Sequence, residues 1–202
     1  MIYQLLKGRF RILREFAHPG CHPLQSRCKG FYDSGVRLAE KMRPNITFFI
    51  IHTNGALTKS IATIGKDSSL ISYKRLMEKL SNSSQLLIHD DVYPSAPFDV
   101  AKNVVKRLVR NESLHGFKSD LREFKRKYYY YFKRLTRITI PNLIRVNTSS
   151  LLCAEDPGLC WWYNRSNLHA YFSDHLHLSP EGLNLIKPAY RSIIQSVFNI
   201  SL

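Results

Sequence analysis

Two rhythms of apolar residues alternate along this chain. Residues 45–52, Asn-Ile-Thr-Phe-Phe-Ile-Ile-His, form an almost continuous apolar run between Pro44 and the Asn54-Gly55 pair. That is the signature of a strand covered on both faces. Residues 85–89 repeat the pattern and open into the Pro-rich loop Tyr93-Pro-Ser-Ala-Pro97, and residues 142–146 give a further strand. Residues 10–16 are also expected to be a strand, ending at the turn His18-Pro19-Gly20-Cys21. Helical periodicity covers residues 31–42, 68–80, 99–110, 114–138 and 180–198. In the fourth of these, Leu114, Phe117, Leu121, Phe124, Tyr128, Tyr131 and Leu135 are spaced alternately three and four apart, with Lys and Arg between them. This is the core stripe of an amphipathic helix. Strands alternating with helices predict an α/β domain built on a parallel sheet with helices on both faces. With no internal repeat or dividing linker, residues 1–202 read as one domain.

Composition adds limits. The longest purely apolar run, Phe48 to Ile51, falls far short of the roughly 18 residues that suggest a membrane span. The N-terminus has neither a charged region ahead of an apolar stretch nor a small-residue cleavage site, so no signal peptide is expected. The 30 Lys and Arg against 15 Asp and Glu give a net charge of +15, much of it between Lys102 and Arg145. Such a balance suits anionic partners: nucleic acid, acidic lipid head groups or acidic glycans. Nucleic acid is the weakest of these, because the basic residues sit on the wet sides of helices and no helix-turn-helix, finger or RNA-binding pattern accompanies them.

The cysteines and asparagines point outside the cytosol. Cys21 and Cys28, and Cys153 and Cys160, form two local pairs with six residues between the members of each. Small disulfide loops are favoured over free thiols, and over zinc, which prefers two to four intervening residues. Asn45, Asn82, Asn111, Asn147, Asn164 and Asn199 each begin an Asn-x-Ser/Thr acceptor pattern. Six such sites among eleven asparagines exceed the one or two or so that chance would place. Together these features favour a lumenal or extracellular domain.

The segment with the most chemistry is Tyr171-Phe-Ser-Asp174-His175-Leu-His177-Leu-Ser179-Pro180-Glu181-Gly182. An Asp three residues before a His can supply both the base of a Ser-His-Asp device and the carboxylate that orients it. Ser179 is placed to cap a helix whose first residue is Pro180. In parallel sheets chemistry collects beyond the carboxyl ends of the strands, where His18-Pro19-Gly20, His52-Thr53-Asn54-Gly55, His89-Asp90-Asp91 and the Asp174/His177 loop are expected. His175 and His177 lack a clear third ligand, so no metal is expected, and no cofactor either.

Several of these pieces, in this order, resemble the SGNH domain found at the C-terminal end of membrane-bound acyltransferase-3 proteins. They are the segment with Pro19-Gly20-Cys21-His22-Pro23-Leu24, the helices around Val104–Leu108 and Tyr128–Leu135, the loop from Leu152-Cys153 to Cys160, and the Asp174-x-x-His177-Leu-Ser-x-x-Gly182 motif. The resemblance spans nearly the whole chain. It implies a flavodoxin-like SGNH hydrolase fold, a three-layer sandwich lying outside the membrane. It also implies a multi-pass membrane acyltransferase partner, missing from this chain, that passes acyl groups from a donor to an acceptor hydroxyl on a glycan or lipid. Asp174 and His177 match the family's catalytic Asp and His. Gly20 and Asn54 fall where its oxyanion donors are expected, although both are also ordinary turn residues. The family's nucleophilic Ser, in a Gly-Asp-Ser or Gly-Asn-Ser turn, has no counterpart here. The first strand, that turn and most of the first helix are therefore expected to be missing, as in a truncated or decayed copy. In flavodoxin-like order that strand lies between the second and third, which leaves the strand expected at residues 10–16 without a neighbour. The functional expectation is an O-acyltransferase or esterase domain whose activity is doubtful in this chain. A noncatalytic extracellular module binding acidic glycans is the alternative.

Overall fold

In the computed structural model, which describes residues 1–8, 10–18, 21–51, 55–60 and 67–198, the chain forms two compact units. One comprises Arg14–Val92 and Lys125–Val146. Its centre is a parallel sheet of β1 (Ile46–Phe49), β2 (Leu86–Asp90) and β4 (Leu143–Val146), with β2 in the middle. Ile46 pairs with Leu86 and Leu87 with Leu143, and both ladders run in register from there. All five residues of β2, its polar His89 and Asp90 included, are buried, as expected of a strand flanked on both sides. β1 and β4 bury less, because each has one partner among the described residues.

The helices of this unit are α2 (Lys29–Met42), the short α3 (Gly55–Thr58), α4 (Ser68–Asn82) and α7 (Tyr129–Leu135). Asp67 caps α4 by accepting the Leu70 amide at 3.1 Å, and Tyr73, Met77 and Leu80 form its buried face. Arg134 is almost fully buried and donates to Asp67 Oδ2 at 2.8 Å and to the carbonyls of Leu57 and Lys59 at 2.5 and 2.8 Å. Burial by itself would raise the Asp67 carboxyl, but the Arg134 guanidinium and the Leu70 amide outweigh it and hold the group below the usual carboxylate range.

Residues 10–16 do not form the expected strand. They run as irregular chain. An extended segment becomes a strand only when a neighbour takes its backbone groups, and no described strand pairs with these residues. Phe16 instead stacks on Phe31 of α2 with ring centroids 4.4 Å apart, its ring lying 3.0 Å from where a side chain at Gly35 would begin.

The other unit comprises Met1–Leu13, Tyr93–Phe124 and Asn147–Leu202. It holds α1 (Ile2–Leu6), α5 (Val100–Val109), α8 (Ser149–Leu152), α9 (Pro180–Phe198) and a small antiparallel sheet ordered β3 (Lys118–Asp120), β6 (Leu159–Trp161), β5 (Cys153–Ala154). Cys153 sits opposite Cys160 across the β5–β6 hairpin and is joined to it by a disulfide, as Cys21 is to Cys28 in the first unit. The hairpin turns at Gly158, whose φ of +77° suits a residue without a Cβ. Val100, Val104, Phe117, Trp162 and Phe172 fill the core, with Phe98 set edge-on to both Phe117 and Trp162.

The single helix expected over residues 114–138 is also corrected. The seven apolar residues of its stripe are buried, but the backbone is divided into β3, α6 (Leu121–Lys127) and α7. Lys118–Asp120 pair with β6, so the ladder takes the backbone groups that a helix would have used. Asp120 then accepts the Arg122 amide at 2.6 Å, and Tyr128 leaves helical geometry between α6 and α7. Tertiary pairing overrides local periodicity here.

Replacing Arg134 with Met should destabilise the protein by about 3–5 kcal/mol, since Asp67 would be left buried without its countercharge. Denaturant unfolding of R134M against the native protein measures this.

Candidate active site

The Asp174/His177 loop is built by backbone bonding before any chemistry is considered. Phe172 bridges Leu178, and Ser173 donates its amide to the His177 carbonyl at 2.8 Å, which closes a tight loop over residues 173–177. The outward carbonyls of that loop are taken from one side. Val100 donates its amide to Asp174 O at 3.1 Å, Ala96 to His175 O at 2.9 Å, and the Tyr93 hydroxyl to Leu176 O at 3.3 Å. Tyr93 also packs against the fully buried Phe172. The Pro-rich loop at 93–97 and the start of α5 are thus the seat of the motif, a role not assigned to them from the sequence. The available signal was Asp99, whose side chain caps α5 by accepting the Lys102 amide at 2.9 Å.

Behind the motif, α9 begins as its sequence predicts. Ser179 Oγ accepts the Gly182 amide at 3.2 Å while donating to Ala170 O at 2.5 Å. Glu181, in the first turn, accepts from Asn164 and Asn167 at 2.7 and 3.1 Å, and these bonds hold its carboxyl below the usual range. Gly182 is required for a steric reason: a Cβ there would overlap the Tyr171 carbonyl oxygen, which itself accepts the Ser179 amide.

Within this frame Asp174 is fully engaged. Its Oδ1 accepts the amides of Leu176 and His177, each at 2.7 Å, and its Oδ2 lies 2.6 Å from His177 Nδ1. The His177 side-chain bond, followed by these amides, holds the Asp174 carboxyl far below the ordinary value, so it is an anion at neutral pH. An ionised carboxylate can only accept, so Nδ1 carries the proton and donates. Nε2 is left as the basic nitrogen. The His177 side chain is 74% exposed, and Nε2 has no hydrogen-bond partner among the described residues. The arrangement can remove a proton from a hydroxyl presented to Nε2 and return it later.

The remaining expected site residues are placed as follows. Gly20 and Asn54, proposed as oxyanion donors, and Asn199, proposed as an acceptor for glycosylation, lie outside the described residues. Asn45, Asn82, Asn111 and Asn147 are exposed, whereas the Asn164 amide is committed to Glu181. His89 is not at a solvent-facing site. It is fully buried, with Nε2 2.7 Å from the Tyr73 hydroxyl, while Nδ1 sits 3.4 Å from Asp91 Oδ1 without forming a hydrogen bond. Asp91 spends its carboxylate on Arg145, at 3.0 and 2.6 Å. Among the described residues no three His, Cys, Asp or Glu side chains converge to hold a metal ion.

Residues 1–192 match the SGNH domain that is fused to AT3 domains. The chain belongs to that family. No curated protein matches the sequence significantly. Among solved structures, the lipopolysaccharide acetyltransferase periplasmic domain of Salmonella ser. Paratyphi A superposes with a TM-score of 0.57 at 12% identity. The match covers 82% of this chain and 62% of that one, so the chain spans about three-fifths of its neighbour's length. At that identity the likeness establishes the shared SGNH-type α/β fold. No described helix of this SGNH domain is long and apolar enough to cross a membrane.

Two outcomes follow. Gly182→Ala should cost roughly 1–3 kcal/mol through forced repacking, read as a lowered thermal midpoint with both disulfides intact. Because the Asp174 carboxyl is depressed in the folded state, its contribution is present above the ordinary carboxylate range and lost as pH falls through the lower folded value. Stability should therefore rise with pH between about 2 and 5, and Asp174→Asn should flatten that rise in a series of denaturation curves.

Proposed function

We propose that this SGNH domain is the acid–base part of an O-acyl transfer machine acting by a Ser-His-Asp mechanism on the non-cytosolic side of a membrane. The observation that carries the reading is the 2.6 Å bond from His177 Nδ1 to an anionic Asp174, with Nε2 open to solvent, in a chain of this family. In the proposed reaction His177 Nε2 takes the proton of a serine hydroxyl as that oxygen attacks the acyl carbonyl of a donor. Asp174 steadies the imidazolium, and the proton passes to the leaving group. An acceptor hydroxyl, on a glycan or lipid, then repeats the steps in reverse order and carries the acyl group away. The AT3 domain of the family is the multi-pass membrane partner that would bring the donor, and the periplasmic neighbour supports the compartment.

No Gly-Asp-Ser or Gly-Asn-Ser triplet occurs in these 202 residues, and the scheme takes its serine from outside them. The same observation favours a second reading, a noncatalytic module of the SGNH fold that binds acidic glycans through its basic surface.

Labelling the protein, as its gene encodes it, with a serine-reactive fluorophosphonate separates the two. The first reading expects one labelled serine N-terminal to Met1, with labelling and acetyl-ester turnover both lost in His177→Ala. It also expects turnover to fall on the order of 10⁴-fold in Asp174→Asn, where the amide would favour the wrong imidazole tautomer. A protein whose translation begins at Met1 and which neither labels nor turns over acetyl esters belongs to the second.

A further inference from the structure

The groove between α2 and α4 carries chemistry that the Asp174/His177 loop does not use. A cleft of about 420 Å³ opens there, within the range of roughly 300–1,000 Å³ typical of small-molecule sites. One wall is a stripe of α4: Ser68, Ser72, Arg75 and Lys79 lie at i, i+4, i+7 and i+11 and all face the cleft. Lys29 and Asp33 of α2 stand opposite, and Leu24, Gln25 and Ser26 of the disulfide-closed Cys21–Cys28 loop shape one end. A covalently closed loop and two packed helices make this a preformed site rather than a gap between mobile side chains.

The charges in the cleft are not balanced. Asp33 is the one carboxylate lining it, and Lys29 already pairs with that group at 2.5 Å. The side chains of Arg75 and Lys79 make no ion pair or hydrogen bond among the described residues, although Lys79 is near enough to help hold the Asp33 carboxyl down, and the hydroxyls of Ser68 and Ser72 make none either. By contrast, Lys74 on the neighbouring face of α4 has its own partner, Glu78, at 3.7 Å. Three cations, Lys29, Arg75 and Lys79, thus face one carboxylate, and this excess of positive charge, flanked by hydroxyls over apolar Val36 and Leu76, suits a ligand that is anionic, rich in hydroxyls and has an apolar ring face. A nucleic acid fits less well. Tyr32, the one aromatic residue lining the cleft, is half-buried, set edge-on to Phe31 and Phe49, and tied through its hydroxyl to Cys21 O at 3.2 Å, so the cleft offers no row of rings on which successive bases could stack.

We propose that this cleft binds an acidic saccharide, with Arg75 and Lys79 pairing its anionic groups and Ser68 and Ser72 bonding its ring hydroxyls. The site stands on the geometry of its own unit and does not depend on the acyl-transfer reading, so binding and turnover can be lost separately.

The test titrates the native protein with tetragalacturonate and, as a neutral control, maltotetraose, following heat release and backbone amide shifts. Saturable 1:1 binding of tetragalacturonate is expected, with shifts concentrated in residues 24–36 and 68–79 and little response to maltotetraose. The double variant Arg75→Gln/Lys79→Gln should weaken binding at least about tenfold, as the loss of two charged contacts implies. Because both side chains are exposed, its thermal midpoint should not move. Lys102→Gln/Lys106→Gln removes the same charge from the solvent face of α5 and should leave binding intact. Equal weakening in both double variants would show a net-charge effect and overturn the proposal. So would amide shifts confined to other segments, equal affinity for maltotetraose, or no binding of tetragalacturonate by the native protein.

Discussion

A carboxylate and an imidazole three residues apart act as a unit only if the loop that carries them has a single shape. Here that shape is set by Asp174 itself, whose two oxygens satisfy two backbone amides and one ring nitrogen within five residues of chain. Each bond favours the anion, and the anion in turn dictates the tautomer of His177. The loop's outward carbonyls are met by Ala96, Val100 and Tyr93, so the seat is as well bonded as the motif. The start of α9 depends on the same economy of space, with the Tyr171 carbonyl occupying the volume that a side chain at position 182 would need.

The parallel sheet follows a related rule: a strand exists only with a neighbour. β2 has two and is buried along its whole length, whereas residues 10–16, with a plausible strand sequence, have none among the described residues and stay irregular. Their apolar content is still used, through Phe16 on Phe31. The converse occurs at residues 118–120, where a segment of helical pattern becomes a strand because β6 offers a partner.

Charge is distributed by the same logic of available partners. Arg134 is interior because Asp67 and two carbonyls receive it, and Arg145 is partly covered because Asp91 accepts it at two points. Most of the other cations of this strongly basic chain stay in water, where desolvation costs nothing. Composition announces the excess of positive charge but does not separate the few cations that lock the interior from those left to meet a ligand, such as Arg75 and Lys79.

The sequence by itself determined the α/β class, the three parallel strands, most of the helices, the two cysteine pairs and the Asp174–His177 motif with its Ser179 cap. All of these are local: periodicity, a turn, a cap or a three-residue spacing encodes each within a few positions. Only the tertiary structure decided that residues 10–16 would not pair, that residues 114–138 would break around an edge strand, and that His89 would be buried beside Tyr73. It alone seated the Asp174/His177 loop on residues 93–100. These outcomes turn on which distant backbone amide or carbonyl is free at the moment of packing, and no local pattern records that.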